Sequence, residues 1–205
     1  MTILANRRSA ILLFSLPDCL HSHRTRLVIK EKEISAELHE VDTENITEEI
    51  KLISPHDDFP TLVDRELVLQ NSRVIIEYLD ERFPHPPLLP VDPVTRAKFR
   101  LALDRIEHQW YLEFNNAYKN NSLSDSFIEN IKNYFIEIAP LISNNFFMGN
   151  DFGLVDCSLA PLLWRLSKLN INISDNNKII DNYIERIFER ESFKESLTET
   201  EKDLD

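Results

Sequence analysis

The sequence FPTLVDRELVLQNSRVIIEYLDERF, residues 59–83, decides the fold of the first half of the chain. Its first part predicts two short strands that are joined tightly at Asp64 and Arg65. Its second part, which begins at Ser72, predicts a helix. The inward face of this helix is expected to carry Val74, Ile75, Tyr78 and Leu79.

The preceding residues alternate between strand and helix patterns. Strands are predicted at AILLF (10–14) and SAELHEVD (35–42), and helices at SHRTRLVIKEK (22–32) and ITEEIKLIS (46–54). The complete order is βαβαββα over about eighty residues. This alternation predicts a mixed sheet with helices packed on it.

The second half of the chain has only helical patterns. Asp92 and Pro93 form a helix start, because aspartate caps an N-terminus and proline suits the first turn. One apolar stripe then follows at helical spacing: Phe99, Leu103, Ile106, Trp110 and Phe114. Further helices are predicted within residues 126–142 and 154–169, and the acidic residues from Glu191 onward are expected to end in a frayed tail.

The composition excludes several classes of protein. The 35 acidic and 23 basic residues give a net charge of −12, which disfavours direct binding to nucleic acid. The only glycines, Gly149 and Gly153, cannot build a Rossmann or P-loop phosphate site. Two distant cysteines, no long apolar run and no signal peptide indicate a cytoplasmic protein that makes no membrane contact.

Four motifs resemble the glutathione transferase fold: FPTLVD, NSRVIIEYLDE, the proline-rich linker and FGLVDCSLAPLLW. The resemblance implies an α/β plus all-α protein, with a thioredoxin-like domain at 9–83, a linker at 84–92, an all-helical domain at 93–198 and an acidic tail at 199–205. It also implies a cis proline at Pro60. A vestigial glutathione site would comprise Phe59, Pro60, Asn71 and Ser72.

Longer strings, among them DERFPHPPL and DCSLAPLLWRL, are similar to the stringent starvation protein A family, and this similarity covers residues 5–202. The resemblance implies a homodimer that binds RNA polymerase holoenzyme, contacts the primary sigma factor and changes promoter use in starvation or stress. It implies no transferase activity and no cofactor. The partner-binding surface would be formed by Phe83, Pro84, His85, Pro86 and Pro87.

The same proline-rich segment also has a purely structural interpretation. Prolines fix φ and remove backbone donors, so this segment would serve as a stiff connector between two domains. We expect an extended, polyproline-like ribbon, which suits recognition because it loses little conformational entropy when a partner docks.

An enzymatic alternative rests on Cys19, which stands where omega-like transferases carry their cysteine, at the start of a helix whose dipole favours a thiolate. This hypothesis predicts a glutathione-dependent thiol transferase or reductase. Three points weaken it: Leu20 replaces the usual proline, the neutral Asn71 replaces an acidic residue, and the resemblance to the stringent starvation protein A family implies no need for a thiol at this position. His21 and His23 lie close to Cys19 in sequence, but a solvated, mildly basic helix start is the favoured interpretation, and no metal site is predicted.

Other polar residues near predicted helix starts have structural interpretations. Ser72 is expected to cap its helix. Asp156 is expected to form half of a capping box, because Gly153 replaces the usual serine or threonine, and Cys157 is expected in the core.

Overall fold

The structure, a computed structural model, describes residues 10–119 and 123–204. Predictions for residues 1–9, including the start of the first domain, lie outside the described residues. The chain forms two compact units. We call residues 10–86 with Glu195–Asp203 the N-terminal unit, and residues 87–194 with Leu204 the helical unit.

The N-terminal unit contains a four-stranded mixed sheet, as predicted. Its strands are β1 (Ile11–Ser15), β2 (Ala36–Glu40), β3 (Thr61–Asp64) and β4 (Leu67–Leu69), in the spatial order β2-β1-β3-β4. β1 pairs parallel to β2 and antiparallel to β3, and β3 pairs antiparallel to β4. Alternate residues of β1 and β3 pack against the loop after β2 and the short second helix in one core cluster: Leu12, Phe14, Val41, Ile50, Ile53 and Val63.

Three helices complete the βαβαββα order: α1 (Leu20–Glu31), α2 (Glu48–Ile53) and α3 (Ser72–Arg82). The predicted inward face of α3 is only partly correct. Ile75 and Leu79 are buried, but Val74 is 51% exposed and Ile76 is buried in its place. Tyr78 is half-buried, because its hydroxyl reaches outward to donate a hydrogen bond to Asp64 at 2.7 Å.

The helical unit begins with the capped helix that Asp92 and Pro93 predict. The Asp92 carboxylate accepts a hydrogen bond from the Thr95 N–H at 2.8 Å, and Pro93 occupies the first helical position. The predicted apolar stripe from Phe99 to Phe114 is buried throughout. A π-helical turn over Ile106–Tyr111 lies within this stripe, and nothing in the 3.6-residue spacing of the apolar residues indicates the change of helix type.

The remaining helices follow in chain order. Their bounds are α4 (Pro93–Arg105), α5 (Leu112–Lys119), α6 (Asp125–Ile138) with a 3₁₀ turn at Ala139–Leu141, α7 (Leu154–Lys168), α8 (Lys178–Glu189), α9 (Glu191–Ser196) and α10 (Glu199–Lys202). Within the described ranges, no helix is both long enough and apolar enough to cross a membrane.

The α7 helix begins with half a capping box, as predicted. Asp156 accepts a hydrogen bond from the Gly153 N–H at 2.8 Å, while Gly153 has no side chain to return it. The glycine has a packing reason, because a Cβ at this position would lie 3.0 Å from the Leu88 carbonyl oxygen and 3.0 Å from the Phe99 ring. Cys157 is fully buried in the same helix, as predicted.

The prediction of a frayed C-terminal tail is wrong for the residues that form α10. Thr198 and Glu201 form a complete capping box, with both hydrogen bonds at 3.1 Å. The Glu201 side chain is fully buried and pairs with Arg26 of α1 in the N-terminal unit. This partner lies 175 residues away in sequence, so the acidic composition of the segment did not indicate the contact.

Candidate functional site

Ser72 lies at the start of α3, where a transferase of this fold would hold the glutathione carboxylate. Arg24 of α1 donates a hydrogen bond to the Ser72 hydroxyl at 2.5 Å, and Nδ1 of His21 lies 3.0 Å from the same oxygen. Ser72 is 5% exposed and Arg24 is fully buried. The Ser72 hydroxyl is therefore engaged by two side chains of α1 and is largely shielded from solvent.

Asn71, not Ser72, caps α3, so the predicted capping role of Ser72 is wrong. The Asn71 side-chain oxygen accepts hydrogen bonds from the N–H groups of Arg73 at 2.9 Å and Val74 at 3.2 Å. Ser72 occupies the first helical position instead, where its side chain points to α1. The Asn71 side-chain oxygen is thereby committed to its own helix.

The helix start after Cys19 is not the solvated basic surface that the sequence suggested. His23, Arg24 and Arg26 are all buried. His23 Nε2 lies 3.0 Å from the Ser196 hydroxyl, and Arg26 donates to the Ser196 carbonyl oxygen at 2.9 Å. Local sequence did not reveal these partners, because they come from the distant C-terminal segment.

Cys19 is half-buried at the N-cap position of α1, and its side chain makes no capping hydrogen bond. Among the described residues, no group of three or more histidine, cysteine, aspartate or glutamate side chains is placed to hold a metal ion. The Phe59–Pro60 peptide is cis, as the resemblance implies, with Phe59 half-buried and Pro60 buried.

The proline-rich segment follows α3, whose C-cap is Phe83. Phe83 is half-buried under the Arg82 guanidinium, which lies 5.3 Å from the ring centroid, whereas residues Pro84–Pro87 are all exposed. The His85–Pro86 peptide is cis. The chain bends at His85 and Pro86, so the expected extended ribbon is wrong here.

The bend coincides with a contact to a buried side chain of the N-terminal unit. The Lys32 ammonium donates a hydrogen bond to the Pro86 carbonyl oxygen at 2.5 Å and another to Asp80 Oδ1 at 2.7 Å. A polyproline helix keeps its carbonyls in solvent, whereas this carbonyl is bound by protein. One carbonyl of the segment is thus hydrogen-bonded to protein, while the side chains of Pro84–Pro87 stay exposed.

Two family models match the chain: "Glutathione S-transferase, N-terminal domain" over residues 13–87 and "Glutathione S-transferase, C-terminal domain" over residues 103–191. A "Stringent starvation protein A homolog" of Histophilus somni is 44% identical, over 100% of this chain and 98% of that protein. The chain belongs to the stringent starvation protein A family. The homologue of Coxiella burnetii is also 44% identical, over 97% of this chain and 96% of its own length.

Solved structures show that this member of the stringent starvation protein A family has the glutathione transferase fold. Glutathione transferase Omega 3C from Trametes versicolor superposes with a TM-score of 0.81 at 21% identity, over 93% of this chain and 85% of the transferase. Identity at this level supports the fold alone.

Sequence reasoning missed Lys32 and Asp80, although a usable signal was present. Lys32 follows Val28 by four positions, and Asp80 follows Ile76 by four, so each charged residue continues a buried helix face. The predicted inward face of α3 includes Val74 and Tyr78 instead of Ile76. Asp80 lies on the same side of the helix as Ile76, so the prediction left it on the exposed side. A charge on an apolar face indicates a buried partner or a functional contact.

Proposed function

We propose that this family member binds RNA polymerase holoenzyme through the primary sigma factor, and that it thereby alters promoter use in the cytoplasm of starved or stressed cells. The binding surface is the segment Phe83–Pro87. The observation that carries this proposal is the exposure of all four residues Pro84–Pro87 around a bend at His85 and Pro86. Such a surface suits recognition, because little conformational entropy is lost when a partner docks.

The arrangement around Ser72 supports a function without glutathione chemistry. A transferase must leave the serine hydroxyl and the helix N-terminus open to the peptide carboxylate. Here Arg24 and His21 engage the hydroxyl, and the Asn71 side-chain oxygen accepts from the N–H groups of Arg73 and Val74. These contacts support the proposal of a binding protein that uses no cofactor.

Charge supports a protein partner instead of direct contact with nucleic acid. The net charge of −12 repels phosphate, so association with the transcription machinery runs through protein surfaces. A basic surface on the partner is the complementary match.

The protein is proposed to act as a homodimer. Within the N-terminal unit, the edge strand β4 and the first turn of α3 expose Leu67 (38%), Val68 (39%) and Val74 (51%). Leu67 and Val68 are neighbours in a strand and therefore lie on opposite sides of the sheet edge, and we propose that a second copy of the chain covers this edge together with Val74.

A pull-down from the cell's own lysate, with mass spectrometry of the captured proteins, tests the proposal. Wild-type protein is expected to retain holoenzyme with its sigma factor, and the triple variant Pro84→Ala/His85→Ala/Pro86→Ala is expected to retain neither. The matched control is Pro55→Ala/His56→Ala, because it alters another exposed proline–histidine pair. Normal capture by the triple variant would overturn the proposal.

A second arm tests the enzymatic alternative. Cys19→Ser should capture holoenzyme as well as wild type does, and wild type should not be retained on immobilised glutathione. Retention on glutathione together with turnover of a disulfide substrate that is lost in Cys19→Ser would establish the transferase instead.

A further inference from the structure

The proline-rich segment has few ways to attach itself to the N-terminal unit. Pro84 and Pro86 have no N–H group, so His85 provides the only backbone donor between them. The segment is therefore held chiefly through carbonyl oxygens, and a carbonyl requires a donor from elsewhere in the protein. The Lys32 ammonium, 2.5 Å from the Pro86 carbonyl oxygen, is such a donor.

The chemistry of this donor requires a counter-charge. The Lys32 side chain is fully buried, and an isolated buried ammonium is strongly disfavoured. Asp80 of α3, with a side chain 9% exposed, supplies the negative charge at 2.7 Å. Lys32 also stands at the C-cap of α1, where the helix dipole favours a positive charge.

We propose that Lys32, paired with Asp80 and hydrogen-bonded to the Pro86 carbonyl oxygen, is a positioning residue for partner binding. It holds the Pro86 carbonyl inward, so that His85 and the rings of Pro84 and Pro86 stay exposed in one arrangement before the partner arrives. This inference rests on the proposed function of the segment. It assigns a binding role to Lys32, a buried residue that would not touch the partner.

Two variants separate this positioning role from a merely structural one. Lys32→Met/Asp80→Leu replaces the ion pair with apolar side chains, a change that buried pairs often tolerate, but it removes the donor to Pro86. Asp80→Asn removes the ion pair and keeps both Lys32 and its hydrogen bond to Pro86. The free energy of unfolding is expected to depend on the Lys32–Asp80 ion pair. The position of the proline-rich segment is expected to depend on the hydrogen bond that Lys32 donates.

The experiment measures the affinity of each full-length variant for purified holoenzyme. Lys32→Met/Asp80→Leu is expected to bind about tenfold more weakly, the effect of losing one charged hydrogen bond. Asp80→Asn is expected to bind within about twofold of wild type, despite a lower free energy of unfolding. If Lys32→Met/Asp80→Leu does not fold, Lys32→Met/Asp80→Asn takes its place with the same expected loss.

A spectroscopic measurement on the free protein gives a second readout. The His85 ring resonance, assigned by its loss in His85→Gln, should shift in Lys32→Met/Asp80→Leu and stay in place in Asp80→Asn. An unchanged resonance with wild-type affinity in the first variant would overturn the inference.

The triple alanine variant distinguishes failure of the inference from failure of the proposed function. If Pro84→Ala/His85→Ala/Pro86→Ala binds holoenzyme normally, the proposed function fails, and the inference fails with it. If the triple variant loses binding while Lys32→Met/Asp80→Leu keeps wild-type affinity, only the inference fails.

Discussion

Arg26 Nη2 lies 2.6 Å from Glu201 Oε2, and this buried ion pair attaches the C-terminal segment to α1 within the N-terminal unit. Arg26 also donates to Ser15 Oγ at 3.2 Å and to the Leu16 carbonyl oxygen at 3.1 Å. Thr198 adds a hydrogen bond to the Pro17 carbonyl oxygen at 2.8 Å. Thr198 contacts the loop that joins β1 to α1 directly, and Glu201 contacts it through Arg26.

Glu201→Ala should therefore release the C-terminal segment. It leaves a buried guanidinium without its carboxylate, and such losses cost about 3 kcal/mol of unfolding free energy. Hydrogen exchange of residues 195–203 should accelerate in parallel. The matched control is Glu199→Ala in the same helix, because the Glu199 side chain is 86% exposed in its pair with Lys202 and should be dispensable. Equal effects of the two substitutions would contradict the importance of the buried pair.

Asp156 gives the helical unit a dependence on pH. Burial raises the pKa of Asp156 to about 6, although hydrogen bonds from Tyr183, Phe147 and Gly153 act in the opposite direction. Because the folded state favours the protonated acid, its stabilising contribution is complete below about pH 4 and is lost as the pH rises through 6. The difference in unfolding free energy between wild type and Asp156→Asn should fall by about 3 kcal/mol between pH 4 and 7. A difference that does not change with pH would exclude this titration.

Gly153→Ser should destabilise the protein, although a serine is the better helix cap. The backbone at Gly153 is extended, so strain is not the cause. The added Cβ would meet the Leu88 carbonyl oxygen and the Phe99 ring at 3.0 Å each, and such overpacking costs about 1–3 kcal/mol. Urea denaturation measures the change. A gain in stability would show that the cap outweighs the close approach.

Val74→Asp should weaken the proposed homodimer. A charge at Val74 would be buried without a partner if a second copy covers this surface of α3. Analytical ultracentrifugation should then show a shift from dimer to monomer at micromolar concentration. Leu52→Asp is the matched control, because Leu52 is an exposed apolar residue (81%) of α2 outside this surface. Dimers that persist in Val74→Asp would place the interface elsewhere.

The order of strands and helices could be predicted from the sequence because each element carries a local signal. Asp92 and Pro93 mark the start of α4, and the stripe from Phe99 to Phe114 follows helical spacing through the π-helical turn. The predicted buried face of α3 is wrong because the sequence IIEYLD offers two overlapping apolar faces. The face that is buried includes the charged Asp80. Packing against α1 decides between the two faces, and a single helix does not contain that information.

The contacts between buried polar side chains could not be predicted, since the two residues of each pair are far apart in sequence. Arg24 meets Ser72 across 48 residues, Lys32 meets Asp80 across 48, and Arg26 meets Glu201 across 175. In sequence, each of these side chains has the appearance of an ordinary surface charge or cap. Only the fold shows that Arg24 donates a hydrogen bond to the Ser72 hydroxyl and that Lys32 donates one to the Pro86 carbonyl oxygen.

The affinity of full-length protein for purified holoenzyme tests the central claim most directly. A titration should compare wild type, the triple variant Pro84→Ala/His85→Ala/Pro86→Ala and the control Pro55→Ala/His56→Ala, with unfolding free energies measured in parallel. Loss of a central interface cluster predicts at least about a hundredfold weaker binding for the triple variant, with the control unchanged and all three folded. Binding by a folded triple variant within about twofold of wild type would contradict the account.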